Sequence, residues 1–256
     1  MTKWFDIFPG IYRKCALQAL RNLARNWLII PASIAAYLVS VLVTGIAAQL
    51  GFLGGILAGL FQVLLLAFYY GWLRSCSERD KLTSRNLLTF DAAFFSDILN
   101  VAFILFLALY TVRLLAQGSQ LVFLVPLVQL GVFLVFSCLP EVIYVQRASH
   151  LEAFSRAARF TREHWVEWYL PLIVLILPWA WRSFEYALLM FAQSDPLLPV
   201  LLPVRGITSI LPGFAGFQIP GLLISVIVAN WYMLFRGLLF TALQSRSNNP
   251  YVYRSF

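Results

Sequence analysis

Charged residues are scarce in this 256-residue chain, at 12% of the sequence, whereas hydrophobic residues make up 61%. Soluble domains carry about 25% charged residues. In water, a chain of this length would expose more apolar surface than its core could enclose, so the composition excludes a soluble fold. We therefore predict an all-α, polytopic membrane protein. A single transmembrane domain over residues 1–256 leaves no room for a separate soluble domain.

Residues that bind metals or form disulfides are also rare. Cys15, Cys76 and Cys138 have no metal-ligand spacing, and three is an odd number. On the topology predicted below, two of them lie on the cytoplasmic side and one lies in the inner half of a span, which is typical of reduced thiols without disulfides. His150 and His164 are too far apart in sequence for a zinc pair, and we expect a structural, interfacial role for His164. The chain contains no G-x-S-x-G, Walker A or H-E-x-x-H motif. We expect no catalytic residue, no metal and no cofactor, and therefore a protein that is not an enzyme.

Apolar stretches long enough to cross a bilayer recur along the chain, and windows of about 19 residues locate six of them. Short, uncharged connections join the first to the second and the third to the fourth, whereas long, charged connections follow the second and the fourth. The residues before the first stretch lack a cleavage pattern, so we expect an uncleaved anchor. We place the spans near Trp27–Gln49, Gly51–Leu73, Asp97–Ala116, Leu121–Ile143, Trp165–Met190 and Ile219–Leu243.

The distribution of basic residues predicts the orientation of these spans. All of the 19 lysines and arginines fall on one side except Arg113, Arg182 and Arg205. The positive-inside rule then places both termini on the cytoplasmic side of the membrane, which we predict to be a bacterial-type inner (plasma) membrane. The net charge of +8 follows from this topology and favours a bilayer with anionic lipids. We do not expect nucleic acid as a partner.

Three stretches that precede the odd-numbered spans are predicted to form in-plane helices at the cytoplasmic headgroups. Residues 11–26 and 152–165 separate basic from apolar residues at helical periodicity, and residues 87–99 are rich in Phe and Leu. The third helix should turn into the bilayer near Trp165. Its expected interfacial anchors are Trp165, Trp168 and Tyr169. The residues expected to contact lipid headgroups are Arg13, Lys14, Arg21, Arg25, Arg156, Arg159 and Arg162.

The same order of elements occurs three times: in-plane helix, outward span, short turn and returning span. This order is consistent with a threefold pseudo-repeat over residues 11–73, 84–143 and 150–243. The alternative is that every odd-numbered span simply needs a cytoplasmic lead-in, without any repeat.

Three amides fall near the centres of the returning spans, where an unsatisfied polar group costs several kcal/mol. One interpretation is a polar track or a site for a small polar ligand. The other is hydrogen bonding that holds the helices together. The three amides are Gln62, Gln129 and Asn230.

Charged residues inside predicted spans are also candidate functional groups. Glu141 follows Pro140 in the fourth span and is a candidate proton or cation ligand; the alternative is a partner for an arginine such as Arg236. Arg182 and Glu185 are three residues apart on the fifth span and would form an ion pair at its outer end. One interpretation is a functional pair, and the other is a surface pair that reaches the membrane interface.

Two cytoplasmic segments give the chain a resemblance to a known group. They are "GWLRSCSERDKLTSRNLLTFDAAFF" after the second span and "LPEVIYVQRASHLEAFSRAARFTREHWVEWYLPLIVLIL" between the fourth and fifth. The chain resembles bacterial six-span proteins of the YciC-like group, together with the membrane domain that accompanies some glycerophosphodiester phosphodiesterases. Glu152, Ala153 and Ser155 match the helix that precedes the fifth span in that group. This chain has no phosphodiesterase domain, so the resemblance implies a fold and not a reaction.

The absence of catalytic motifs favours a non-enzymatic structural, accessory or assembly component that binds lipids, a membrane-protein partner or its own copies. The alternative is a transporter or an ABC-type permease subunit, because the six-span export permeases resemble this chain in length and in their cytoplasmic termini. A lipid-handling enzyme is implied only by the resemblance and lacks the motifs to support it.

Overall fold

The computed structural model describes residues 2–78, 81–117, 124–148, 150–180 and 218–248, and these residues form helices joined by turns. Four of the helical segments are long and apolar enough to cross a membrane: Ile29–Ser77, Ser84–Ala116, Val125–Gln146 and Leu223–Ser245. The helices are α1 Thr2–Arg25, α2 Ile29–Ala47, α3 Gly51–Ser77, α4 Ser84–Leu87, α5 Ala92–Ala116, α6 Leu124–Phe136, α7 Leu139–Gln146, α8 His150–Ala180 and α9 Gln218–Asn248, with a 3₁₀ turn at Ala48–Leu50 between α2 and α3.

The first apolar segment is a hairpin in which α2 packs against α3. Its turn, Ala48–Leu50, lies where the first two predicted spans meet. Gly51 starts α3 with φ 59°, a backbone conformation that side chains with a Cβ rarely adopt. One turn later, a Cβ on Gly54 would lie 1.7 Å from the carbonyl oxygen of Ala47. Glycine is therefore required at both positions for α2 and α3 to meet this closely.

The lead-in to the first span is a separate helix, α1, that ends at Arg25. The buried Asn26 follows it and donates its side-chain amide to the carbonyl of Asn22 at 3.1 Å. Its Oδ1 accepts the backbone N–H of Leu82 at 2.9 Å, which ties the end of α1 to the connection after α3.

The predicted in-plane helix over residues 87–99 is not present as one element. A single turn, α4, is capped by Thr83 and ends at Leu87, and α5 begins only at Ala92, capped by Asp91. Both capping side chains accept a hydrogen bond from a backbone N–H, which is why a new helix begins after each of them. From Ala92 onward, α5 continues without a break into the predicted third span, whereas residues 88–91 are not helical. The helix predicted over residues 87–99 therefore begins later than expected.

The predicted fourth span is broken into α6 and α7 at Ser137 and Cys138. Pro140 explains the break, because it has no N–H for the carbonyl of Phe136 and its ring clashes with that carbonyl. Proline is well tolerated in the first turn of the new helix, where Pro140 now lies.

The lead-in to the predicted fifth span and the start of that span form one bent helix, α8. Its backbone leaves helical geometry at His164, with φ −128° and ψ 24°, so the bend predicted near Trp165 is present one residue earlier. His164 is buried at this bend with its ring 5.1 Å from that of Phe160, rather than at an exposed interface. Trp165 is exposed, whereas Trp168 and Tyr169 are buried inside the bundle and do not serve as surface anchors.

The core of the described bundle is concentrated around α7. Leu139 to Tyr144 are all buried, and the second half of α3, the first half of α5, the bend of α8 and the second half of α9 pack around them. At the opposite end, the α2–α3 turn is surrounded by exposed apolar side chains, including Phe52 at 83% exposure.

A buried ion pair at the helix break

The break between α6 and α7 leaves backbone carbonyls without their helical donors, and side chains from two other helices bond to three of them. Tyr169 donates its hydroxyl to the carbonyl of Leu134, and Thr161 donates to Val135 at 3.0 Å. Arg236 on α9 donates to the carbonyl of Ser137. Non-helical backbone at membrane depth is tolerated only when its polar groups are satisfied in this way.

A chain of hydrogen bonds continues from these contacts. The indole N–H of Trp168 donates to Ser137 Oγ at 3.0 Å, and Ser137 Oγ lies 2.6 Å from the hydroxyl of Tyr169. Since Tyr169 gives its proton to Leu134, Ser137 acts as donor to Tyr169. The hydroxyl of Ser137 therefore couples two residues of α8 to the broken segment.

The centre of the site is an ion pair between Glu141 on α7 and Arg236 on α9. Arg236 Nη2 lies 3.0 Å from Glu141 Oε2, and the two side chains are 5% and 0% exposed. The guanidinium also lies over the ring of Trp168, 4.7 Å from its centroid. Attraction between opposite charges is strong in such a low-dielectric setting, but removing both groups from water opposes it.

Each side chain of the ion pair has one polar atom that forms no hydrogen bond. Glu141 Oε1 and Arg236 Nε are buried and have no hydrogen-bond partner among the residues that the structure describes. An unsatisfied buried polar group costs about 1–3 kcal/mol, and more when it is charged. The ion pair is therefore enclosed by protein, and one acceptor on Glu141 and one donor on Arg236 remain able to form a further hydrogen bond.

Close packing of α7 on α9 holds the two charges together. The hydroxyl of Tyr144 donates to the carbonyl of Met233 at 3.3 Å. A Cβ on Gly237 would lie 2.3 Å from that hydroxyl, so the absence of a side chain there lets Tyr144 approach. The ring of Tyr144 also contacts the ring of Tyr70, with the two ring centroids 5.8 Å apart. Glu141 and Arg236 thus lie between helices that leave little room for either to move.

The three amides that the sequence singled out do not lie in equivalent environments. Asn230 is buried and exchanges hydrogen bonds with Ser33 Oγ at 3.2 and 3.3 Å, joining α9 to α2. Its amide also donates to the carbonyl of Val226 at 2.8 Å. Gln129 is half-buried, and Gln62 is exposed on α3. For Asn230, the contacts are those of a residue that holds two helices together.

The seven basic residues predicted to contact headgroups are exposed on two helices. On α1, Cys15, Ala19 and Leu23 are buried, and the helix packs against α9. On α8, Ala153 and Ala157 are buried in the same way. Arg182 and Glu185, the predicted outer pair, lie outside the described residues.

Two titratable groups on α1 are affected by this packing. The hydroxyl of Tyr12 donates to the carbonyl of Glu167 at 2.9 Å. Burial, and secondarily the carboxylate of Glu167, raises the pKa of Tyr12 to about 12. Burial alone raises the pKa of the Cys15 thiol to about 11. Both groups are therefore neutral at physiological pH.

Sequence reasoning identified Glu141 and named Arg236 as one partner, but it missed Ser137 and assigned Trp168 and Tyr169 to the membrane interface. The signal that was available is Pro140, which predicts a break and hence a need for donors nearby. Across the described ranges, no three His, Cys, Asp or Glu side chains cluster as metal ligands would.

Comparison of the chain with protein-family models, with curated proteins and with solved structures finds no match to any of them. The resemblance to the YciC-like group therefore stays a prediction.

Proposed function

We propose that this chain is a non-enzymatic, structural or accessory component of a bacterial-type inner membrane, and that it binds a transmembrane helix of another membrane protein through α3. The observation that carries the proposal is the exposed amide of Gln62, which lies within an apolar segment long enough to span the membrane. An amide facing hydrocarbon lacks hydrogen-bond partners, so a polar group on a neighbouring helix would stabilise it.

The surroundings of Gln62 support close approach by another helix. Gly55 and Gly59 lie seven and three residues before it, on the same face at helical periodicity, and a Cβ at either position would meet no atom within 4 Å. Small residues of this kind let helix backbones come close in membranes. The most apolar windows of the segments that contain α2–α3 and α5 are 22% and 17% buried, against 50% for the segments that contain α7 and α9. Low burial is therefore shared with α5, and the glycines and the amide are what distinguish α3.

The test is site-specific photo-crosslinking in native membranes. A photoreactive residue in place of Gln62 should give an adduct with one membrane protein. The matched control is Phe106 on α5, which is also exposed within an apolar segment but has no adjacent glycine or amide. Adducts with lipid alone at both positions would overturn the proposal.

The proposed topology has six spans with both termini in the cytoplasm, and α1 and the first half of α8 as in-plane helices. It rests on the distribution of lysine and arginine and on the packing of α2 against α3 as two span-length helices. Fusion of a cytoplasm-active fluorescent protein to either terminus should give fluorescence. Activity of a fused periplasmic phosphatase at either terminus would contradict this orientation.

The second candidate is a transporter or an ABC-type permease subunit. Glu141 favours it, because a buried carboxylate beside an interrupted helix is typical of coupling-ion sites in transporters. In proteoliposomes with an imposed proton gradient, the native protein should then dissipate the gradient, and a folded Glu141→Gln variant should not. Equal and negligible proton flux in both would remove the support that Glu141 gives to transport.

A further inference from the structure

The exposed basic residues of α1 and α8 differ in how their charge is balanced. From Thr2 to Arg25 the chain carries the acid Asp6 and five basic residues, Lys3, Arg13, Lys14, Arg21 and Arg25. Arg13, Lys14, Arg21 and Arg25 are exposed, and none of them forms an ion pair within the part of the chain that the structure describes. The positive charge of α1 is therefore largely uncompensated.

The basic residues of α8 are balanced by acids on the same helix. Arg156, Arg159 and Arg162 share it with Glu152, Glu163 and Glu167. Arg156 Nη2 lies 2.6 Å from Glu152 Oε1, an exposed pair one helical turn apart. This helix presents arginines without presenting a net positive surface.

The exposed face of α1 also carries apolar side chains. Leu17 and Leu20 are 46% and 53% exposed although Cys15, Ala19 and Leu23 on the opposite face are buried. At 100° per residue, Arg21, Lys14 and Arg25 occupy one edge of the exposed face. Leu20, Ala24 and Leu17 occupy the other edge, and Arg13 lies among them. A helix with this arrangement suits the boundary between acyl chains and headgroups.

The position of α1 is held by contacts on its buried side. Trp231 of α9 donates its indole N–H to the carbonyl of Ala16 at 3.1 Å. Tyr12 bonds to the carbonyl of Glu167, which has no helical donor because Pro171 lacks an N–H. The exposed face is thus presented in a fixed orientation beside the start of the first apolar segment at Ile29.

From this charge balance and placement, we infer that the exposed face of α1 is a binding surface for anionic phospholipid. Lys14, Arg21 and Arg25 contact headgroup phosphates from the basic edge, and Leu17 and Leu20 enter the acyl boundary. Arg13 extends its long side chain from the apolar edge to the same phosphates. The inference rests on the proposed function as a membrane component and deepens it, because it assigns lipid recognition to α1 and not to α8.

The experiment compares two triple variants of the full chain that each lose three positive charges, K14Q/R21Q/R25Q on α1 and R156Q/R159Q/R162Q on α8. Binding of fluorescent phosphatidylglycerol to the detergent-purified protein is measured, with phosphatidylcholine as the neutral reference. We expect the α1 variant to lose affinity for phosphatidylglycerol about tenfold or more, and the α8 variant to change less than about threefold. Native mass spectrometry should show fewer retained anionic lipids only for the α1 variant.

Several results would overturn the inference. Equal losses in both variants would indicate a non-specific response to charge, and equal binding of both lipids by the native protein would exclude anionic recognition. Displacement by glycerol phosphate as readily as by phosphatidylglycerol would indicate a site for soluble phosphate. L17S/L20S tests the acyl contact and should also weaken binding. Helical content and thermal unfolding of each variant should match the native protein, since all the substituted side chains are exposed.

Each of the two proposals can be disproved without affecting the other. The crosslink at Gln62 does not depend on α1, so a loss of lipid preference with an intact protein adduct would leave the proposed function standing. Anionic-lipid binding without any adduct at Gln62 would leave the lipid surface standing and remove the partner.

Discussion

The two ends of the described bundle are built from similarly apolar residues but differ in what covers them. Around α7, every residue from Leu139 to Tyr144 is buried, whereas around the α2–α3 turn Leu42, Ile46 and Phe52 are exposed. The difference teaches that hydropathy identifies residues that avoid water but does not distinguish protein neighbours from lipid. In a bilayer there is little hydrophobic driving force between helices, so packing and polar contacts decide which apolar surfaces are paired.

Polar contacts explain why the α7 end of the bundle is packed and buried. The break at Pro140 leaves carbonyls that need donors, and Arg236 and Tyr169 supply them from α9 and α8. At the turn end, Gly51 and Gly54 let α2 and α3 meet, and Gln62 on the exposed part of α3 is a polar group without burial. Stability should therefore depend on substitutions at the α7 end and be insensitive to substitutions of the exposed apolar side chains around the turn.

The largest effect is expected from removing one member of the ion pair. Glu141→Leu leaves Arg236 buried and unpaired, which should cost about 3–5 kcal/mol of unfolding free energy. The double variant Glu141→Leu/Arg236→Met removes both charges and should recover part of that loss, because the carbonyl of Ser137 then lacks the donor that Arg236 supplies. Thermal unfolding in detergent measures both, and a double variant as unstable as the single one would show that the pair does not act as a unit.

The next effect compares two leucines directly. Leu139→Ala at the centre of α7 should cost about 2–5 kcal/mol, because it leaves a cavity among buried neighbours. Leu42→Ala near the turn should change stability by less than about 0.5 kcal/mol in the isolated protein. Similar losses at the two positions in detergent would contradict the contrast between the ends.

A smaller effect is expected for the two amides. Asn230→Leu removes hydrogen bonds to Ser33 and should cost about 0.6–2 kcal/mol. Gln62→Leu should leave the stability of the isolated protein unchanged and should reduce recovery of the proposed partner from native membranes. Destabilisation by Gln62→Leu would show that its amide is used within the chain.

The last effect is absent at neutral pH and appears only at alkaline pH, where it concerns the packing of α1 on α9. Because the folded pKa of Cys15 is about 11 against an ordinary value of 9.0, its stabilising contribution is present below pH 9 and is lost as pH rises through 11. Cys15→Val should make thermal unfolding less sensitive to pH in that window. The control is Cys15→Val at pH 7, where the dependence on pH should match that of the native protein.

Much of the helical layout was accessible to prediction because its determinants are local. The α2–α3 turn follows from its glycines, and the bend at His164 lies where basic residues give way to hydrocarbon. The predicted helix over 87–99 failed because Asp91 caps a new helix, and a periodic pattern of Phe and Leu does not reveal a cap. The basic residues of α1 and α8 were grouped together, although the sequence already shows that only those of α8 are balanced by acids on the same helix. The structure adds the contacts that hold α1 in place on its buried side.

The sequence by itself determined that the residues described by the structure are helical and that the chain has membrane-length apolar segments, because hydropathy and helix breakers act within a few turns of the backbone. It also marked Glu141 as unusual, because a carboxylate in hydrocarbon needs a partner. Tertiary structure alone decided that the partner is Arg236, 95 residues away, and that Trp168 and Tyr169 are buried beside it. The physical reason is that burial and ion pairing depend on which distant segments share a volume, and local patterns do not encode that choice.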